Sequence, residues 1–315
     1  MIVPGSAESP DRARDSAVPW SGLGYLLIVY LVWGSTYLAI RIAVREGSGF
    51  TPFVMGATRV LAAGGLLLLW SAVRGQRVRL TRREFVVLAV SGSLLWTGTN
   101  GLVMWAEQHT HSGYAALLMG AVPIWTAVIE SFLDRRAPTV LLAASLMIGF
   151  AGLGLLTTPI LRMGTRVDWA AVLALLAAPI CWASGSLLQR RKPVKVSLLV
   201  SAGYQQVFGG IGFVLLAFLF GEHLPSPTLE AWGAWGFLVV LGSLLGFTAY
   251  VQTLRLLPTN IAMTYAYVNP VIAVILGGLI LREPVTPWSL GGMVLVLLGV
   301  GGVFHERYRR RITGQ

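Results

Sequence analysis

The sequence predicts an all-α integral membrane protein with ten transmembrane helices, arranged as two inverted five-helix repeats. Composition is the first reason. Of 315 residues, 55% are hydrophobic and only 12% charged, with a mean hydropathy of +0.72. Soluble domains carry roughly 25% charged residues, and so few charges cannot cover the surface of a soluble chain of this length. The second reason is a series of about ten apolar runs, each close to the length that crosses a bilayer. The third is an internal echo. Trp33 to Arg41 reads WGSTYLAIR and Trp182 to Arg190 reads WASGSLLQR, each a Trp followed by small residues, with an Arg eight positions on.

A spanning helix needs about 20 largely apolar residues. The runs that satisfy this are 21–41, 52–73, 84–105, 112–133, 139–158, 168–189, 197–220, 230–254, 260–281 and 287–304. Helix-entry chemistry marks several of them. Thr51-Pro52 and Thr286-Pro287 each put a capping hydroxyl before a proline at the first helical position, and Asp168 can cap the sixth run. Residues 1–20 read as a polar cytoplasmic tail without a secretory signal, and residues 305–315 as a basic cytoplasmic tail. Cys181 is the single cysteine, which excludes an intramolecular disulfide.

Basic residues set the orientation. With the N-terminus inside, 18 Lys and Arg residues fall in inner segments and 5 in outer ones, with Arg59 inside a helix. Positive charge accumulates in short cytoplasmic loops, so both termini are expected in the cytoplasm and the helix count is expected to be even. These charges lie between apolar runs rather than along one face, which suits lipid headgroups and not nucleic acid.

The echo extends along the chain. The offset between Trp33 and Trp182 is 149; from the second run onward it is 147, pairing Arg59 with Gln206, Pro123 with Pro270, Gly152 with Gly299 and Gly154 with Gly301. Five helices per half is odd, so the second copy enters from the opposite side, an architecture of many secondary transporters. On this reading Arg41 reaches the outer surface and Arg190 the inner one. The two echoing segments then lie at opposite mouths of one pathway, as paired gate and packing elements.

Four features carry a family resemblance. They are the WGSTYLAIR opening, Arg59 in the second helix, Gly113-Tyr114-Ala115-Ala116-Leu117 leading to Pro123, and Tyr265-Ala266-Tyr267-Val268-Asn269-Pro270 followed by Leu281-Arg282-Glu283-Pro284. With them the sequence resembles the drug/metabolite transporter superfamily, in its ten-helix branch with two EamA-type repeats, here 21–158 and 168–304. The opening is similar to that of bacterial inner-membrane metabolite exporters. The resemblance implies a basket-like bundle with a central cavity, exporting small metabolites across the bacterial inner (plasma) membrane. The acidic residue usual at the end of both fourth-type helices is Glu283 in the second half, but Arg136 stands at the matching place in the first.

Transporters place their sites near the bilayer midplane, beside interrupted helices. Pro123 and Pro270 are such interruptions, because proline lacks the N–H and crowds the preceding turn; the other reading is a packing kink. Arg59 lies about 10 Å deep at 1.5 Å per residue. It either snorkels to the outer headgroups or faces the interior, where a carboxylate-bearing substrate would suit it. Glu130 has two readings, a proton carrier or a solvated interfacial acid beside Arg135. Trp96, Asn100, Tyr114, Trp182, Tyr265 and Asn269 are cavity candidates, with Tyr250 and Tyr267 in the same aromatic set. Tyr265 and Asn269 share a helix face one turn before Pro270, combining flat apolar surface with directional hydrogen bonds. Trp33 and Ser35 are gate candidates; small hydroxylated residues such as Ser35, Thr36, Ser184 and Ser186 equally permit close helix packing. His109 and His111 have no nearby Cys or acidic cluster, so no metal and no cofactor is expected.

Three classes compete: an exporter of amino-acid-like or amphiphilic solutes working by alternating access, an importer or exchanger on the same scaffold, and a membrane-embedded enzyme. The sequence holds no HExxH, GxSxG or Walker A motif, so hydrolysis of peptides, esters or ATP has no visible machinery. The expected partners are a small-molecule substrate and membrane lipids, and one chain is sufficient for the pathway.

Overall fold

The computed structural model describes residues 19–44, 47–107, 118–161, 169–280 and 286–313, and among these every regular element is helical. Helix α1 is Trp20–Val44 and α2 is Pro52–Val73. Helix α3 runs from Arg82–Gly92 through a π-helical stretch, Ser93–Asn100, into Gly101–Glu107. Then come α4 (Val122–Asp134), α5 (Val140–Leu161), α6 (Trp169–Arg191) and α7 (Leu198–Leu219). Helix α8 again holds a π-helical stretch, Leu238–Phe247, between Leu229–Phe237 and Thr248–Leu256. Helix α9 is a short turn of helix, Thr259–Ala262, followed by Tyr265–Ile280; α10 is Pro287–Thr313. Among the described residues eight of these, α2, α3 and α5 to α10, are long and apolar enough to cross a membrane. Their outer faces carry exposed Phe218, Leu279 and Leu298, the inside-out pattern that hydrocarbon permits and water does not.

Two antiparallel pairs form the frame. Helix α5 packs along α10, with Gly152 against Gly292 and Gly149 against Gly299; a Cβ added at Gly152, Gly292 or Gly299 would strike backbone of the other helix within 2.9 Å. Helix α2 packs along α7, where Gly64 approaches the Gly203 carbonyl in the same way. Small residues let backbones approach, and in hydrocarbon that close packing drives association. Polar contacts clasp the second pair at both ends. The Glu222 carboxylate accepts from the Phe53 and Val54 amides at 3.1 and 2.7 Å, and Ser197, the N-cap of α7, donates to Gln76 Oε1 at 2.6 Å.

The structure revises three local expectations. Thr51 precedes α2 but its hydroxyl makes no cap bond; Glu222 caps instead, because a carboxylate satisfies two orphan amides and complements the helix dipole. Thr286 does cap α10, accepting from Ser289 N at 3.2 Å, whereas Asp168 lies outside the described residues. Pro123 stands in the first turn of α4 after a break at Gly120-Ala121, where its missing N–H costs nothing, while Pro270 lies inside α9. The basic segment after 304 is no free tail: α10 stays helical to Thr313, and its buried Glu306 accepts from Thr139 Oγ1 at 2.9 Å.

One end of the bundle gathers the basic loops. Arg191 donates to both oxygens of Asp134 at 2.7 Å, joining α6 to α4. Arg190 donates to the Leu254 and Leu257 carbonyls at the end of α8. Lys195 N donates to Glu84 Oε1 at 3.1 Å, joining the α6–α7 loop to the start of α3. At the other end, Ser226 N and Thr228 N donate to Gly49 O and Ser48 O at 2.9 Å.

Candidate functional site

The π-helical stretch of α8 is the platform of the site. Its sequence, LVVLGSLLGF, puts Gly242 and Gly246 one turn apart. A Cβ on Gly246 would lie 2.6 Å from Trp33 Nε1, and one on Gly242 would lie 2.9 Å from Arg59 Nη2. These glycines therefore admit a Trp from α1 and an Arg from α2 to the same backbone. Trp33 Nε1 donates to Gly242 O at 3.0 Å, and Arg59 Nε donates to Ser243 Oγ at 2.8 Å.

Four rings meet beside that platform. Trp33, Trp182, Tyr250 and Tyr265, from α1, α6, α8 and α9, contact one another pairwise with centroids 5.1–6.2 Å apart. Tilted and edge-on aromatic pairs add about 0.5–1.5 kcal/mol each beyond burial. A closed polar ring fixes their register. Trp182 Nε1 donates to Tyr250 OH at 2.9 Å, Tyr250 OH meets Ser186 Oγ at 2.5 Å, and Ser186 Oγ donates to Trp182 O at 2.6 Å. All four aromatic residues are buried, so the junction closes the space between these helices.

Arg59 stands next to this junction and is buried at 6% exposure. Its guanidinium carbon lies 5.6 Å from the centroid of Trp96, which in turn packs on Phe247 at 5.0 Å. Among the described residues no carboxylate pairs with it. Trp96 Nε1, Gln206 Oε1 and Asn269 Oδ1 are buried without hydrogen-bond partners among the described residues. Gln206, the residue paired with Arg59 at the 147 offset, donates through Nε2 to Ser243 O at 3.4 Å.

Of the residues singled out from sequence, Arg59, Trp96, Trp33, Trp182 and Tyr265 thus come together. Asn269 is buried one turn beyond Tyr265, with its backbone carbonyl against Gly34. Asn100 donates back to Leu95 O at 3.0 Å and Ser35 to Val32 O at 2.8 Å, so both serve their own helices. Glu130 is half-buried on α4 with no hydrogen bond or ion pair among the described residues. Tyr267 donates to Leu146 O at 2.9 Å and belongs to the α5–α9–α10 core. Tyr114, His109, His111 and Glu283 lie outside the described residues, as does the side chain of Arg41. Trp33 and Trp182, the first residues of the two echoing segments, touch with ring centroids 5.6 Å apart, and Arg190 at the end of the second segment lies at the basic end of the bundle. Ser243 and Phe247 had no individual signal in the sequence; the Gly-Ser step inside an apolar run was the available one.

The EamA-like transporter family model matches the chain twice, over residues 20–158 and 169–304. The chain belongs to that family. It is 34% identical over 256 residues to a protein of Escherichia coli (strain K12) named uncharacterized inner membrane transporter YedA, covering 81% of each chain. It is 22% identical to the uncharacterized transporter sll0355 of Synechocystis, covering 87% of each. A solved structure 19% identical in sequence superposes with a TM-score of 0.78 over 92% of this chain and 98% of the other, so the fold is shared. This EamA family member is a multi-pass membrane transporter, and family and relatives point away from an enzyme.

Proposed function

We propose that the chain is a ten-span secondary transporter of two inverted repeats. On this reading it exports small carboxylate-bearing, amino-acid-like solutes across the bacterial inner membrane by alternating access, with both termini cytoplasmic. Arg59 is the observation that carries the reading. Leaving a buried charge without its partner costs about 3–5 kcal/mol. The Trp96 face returns roughly 2 kcal/mol at a desolvated site, and one hydrogen bond from a charged group about 1.5–3. Those contacts hold the cation but leave its Nη groups without an acceptor among the described residues. A substrate carboxylate is the acceptor that geometry suits. The unpartnered Trp96 Nε1, Gln206 Oε1 and Asn269 Oδ1 suit the remaining polar atoms of such a solute.

Two further observations support the architecture. The π-helical stretches of α3 and α8, at 93–100 and 238–247, overlap when the 147 offset is applied, and π turns concentrate at functional sites. The Trp33–Trp182 contact joins equivalent positions of the two halves, which suits a gate whose closing rings come from both repeats.

Transport into proteoliposomes tests the substrate class. Labelled neutral amino acids are expected to move and the amines lacking the carboxylate are not. Arg59→Gln is expected to cut transport roughly tenfold to 150-fold, the worth of one charged hydrogen bond, with unchanged elution on size exclusion. Equal transport of acid and amine, or full activity in the variant, would overturn the proposal.

A further inference from the structure

Away from the aromatic junction, the basic end of the bundle holds a groove of about 350 Å³ between the α2–α3 and α6–α7 loops. Arg77, Thr81, Arg83, Glu84 and Lys195 line it. Glu84 is its organising residue. That carboxylate is buried, and it accepts from Arg77 Nη2 at 2.5 Å, Thr81 N at 2.9 Å, Thr81 Oγ1 at 3.0 Å and Lys195 N at 3.1 Å. The hub has two consequences. It fixes a loop of the first half against a loop of the second, so the groove has defined walls. It also spends its negative charge on Arg77, leaving the Arg83 and Lys195 side chains, both exposed, with no acidic partner among the described residues.

The surroundings are apolar on one side only. Directly after Glu84, Phe85 and Val86 of α3 are about half exposed, and the Phe85 ring meets Phe208 of α7 at 5.1 Å in a T-shaped contact. The α3–α7 seam therefore passes from a cationic groove to a greasy outer surface within one helical turn. A free anion would use only the first of these; a phospholipid uses both.

We infer that this groove is a binding site for the phosphate headgroup of an anionic phospholipid, held by Arg83 and Lys195, with its acyl chains along the Phe85–Phe208 seam. Basic pockets at the ends of membrane helices recognise such headgroups through the same charges that orient the protein. Because Arg83 belongs to the first half and Lys195 to the second, a bound headgroup joins the halves where Glu84 already does.

Native mass spectrometry and thermal unfolding of the detergent-solubilised full chain test this, with phosphatidylglycerol, phosphatidylcholine and inorganic phosphate as probes. Phosphatidylglycerol is expected to bind and to raise the unfolding temperature, while phosphatidylcholine does neither. Arg83→Gln with Lys195→Gln is expected to weaken phosphatidylglycerol binding roughly 30-fold, and each single variant about fivefold. The single variants cover a double variant too unstable to purify; Lys195→Gln retains the Glu84 contact, which comes from the backbone. Arg135→Gln with Arg136→Gln, on the neighbouring α4–α5 loop, is expected to leave binding within about twofold. An equal loss in both double variants would assign the effect to diffuse charge and overturn the site. Inorganic phosphate raising the unfolding temperature as far as phosphatidylglycerol would overturn a lipid as its ligand.

Discussion

Tyr250 shows how one hydroxyl can hold an aromatic junction in register. It takes the Trp182 indole hydrogen and is bound to Ser186, which closes the circuit on the Trp182 carbonyl. In lipid such bonds have a coupling of about 0.6 kcal/mol on average and about 1.7 at most. A double-mutant cycle of Tyr250→Phe and Ser186→Ala, read by unfolding in detergent, is expected to give a coupling inside that range. Additive single effects would mean that the circuit does not stabilise the junction. The aromatic members of the site were legible in the sequence because Trp96, Trp182 and Tyr265 sit well inside apolar runs. Their partners were not. Arg59 and Ser243 are 184 residues apart, and a serine in an apolar helix is as often a packing residue as a ligand.

Helix pairing obeys the glycines more than the large residues. On α10, a Cβ at Gly299 would fall 2.6 Å from the Gly149 backbone, whereas one at Gly301 would meet nothing within 4 Å among the described residues. Rotamer changes cannot relieve a clash between backbones, so Gly299→Ala is expected to destabilise the protein by about 1–3 kcal/mol. Gly301→Ala is expected to be neutral or to stabilise by up to about 1 kcal/mol through helix propensity. Thermal unfolding of the two variants side by side checks this, and equal effects would refute the packing assignment. The 147 offset already paired Gly152 with Gly299 and Gly154 with Gly301, and in each pair the structure gives both members the same environment, crowded for the first and open for the second. Hydropathy located most of the long helices to within a few residues because the bilayer sets one length for all of them. For α10 it stopped at 304, nine residues short of Thr313, because the last turns are basic rather than apolar. It could not reveal the π-helical stretches, which depend on what packs against the helix, nor Glu222, whose helix partner lies 169 residues away in sequence.

The whole molecule is polarised, and that polarity is visible in three dimensions as well as in the loop order. Glu84, Asp134 and Glu306 each fasten a basic or C-terminal segment at one end, through contacts to Lys195, Arg191 and Thr139. The start of α1 belongs to the same end, since a Cβ at Gly22 would strike Leu257. The opposite end carries the clasp of 48–49 with 226–228 and the Glu222 cap. Short loops rich in Arg and Lys are retained in the cytoplasm, so the end with Lys192 is expected inside and the end with His223 outside. With Cys181→Ala as background, His223→Cys is expected to react with a membrane-impermeant thiol reagent in intact cells. Lys192→Cys is expected to react only after permeabilisation. Both positions are exposed, so a failure to label reports sidedness rather than burial. The reverse pattern would invert the orientation and place the Arg83–Lys195 groove in the outer leaflet. Labelling of both in intact cells would mean that the two ends are not separated by the bilayer, and the spanning arrangement itself would fall.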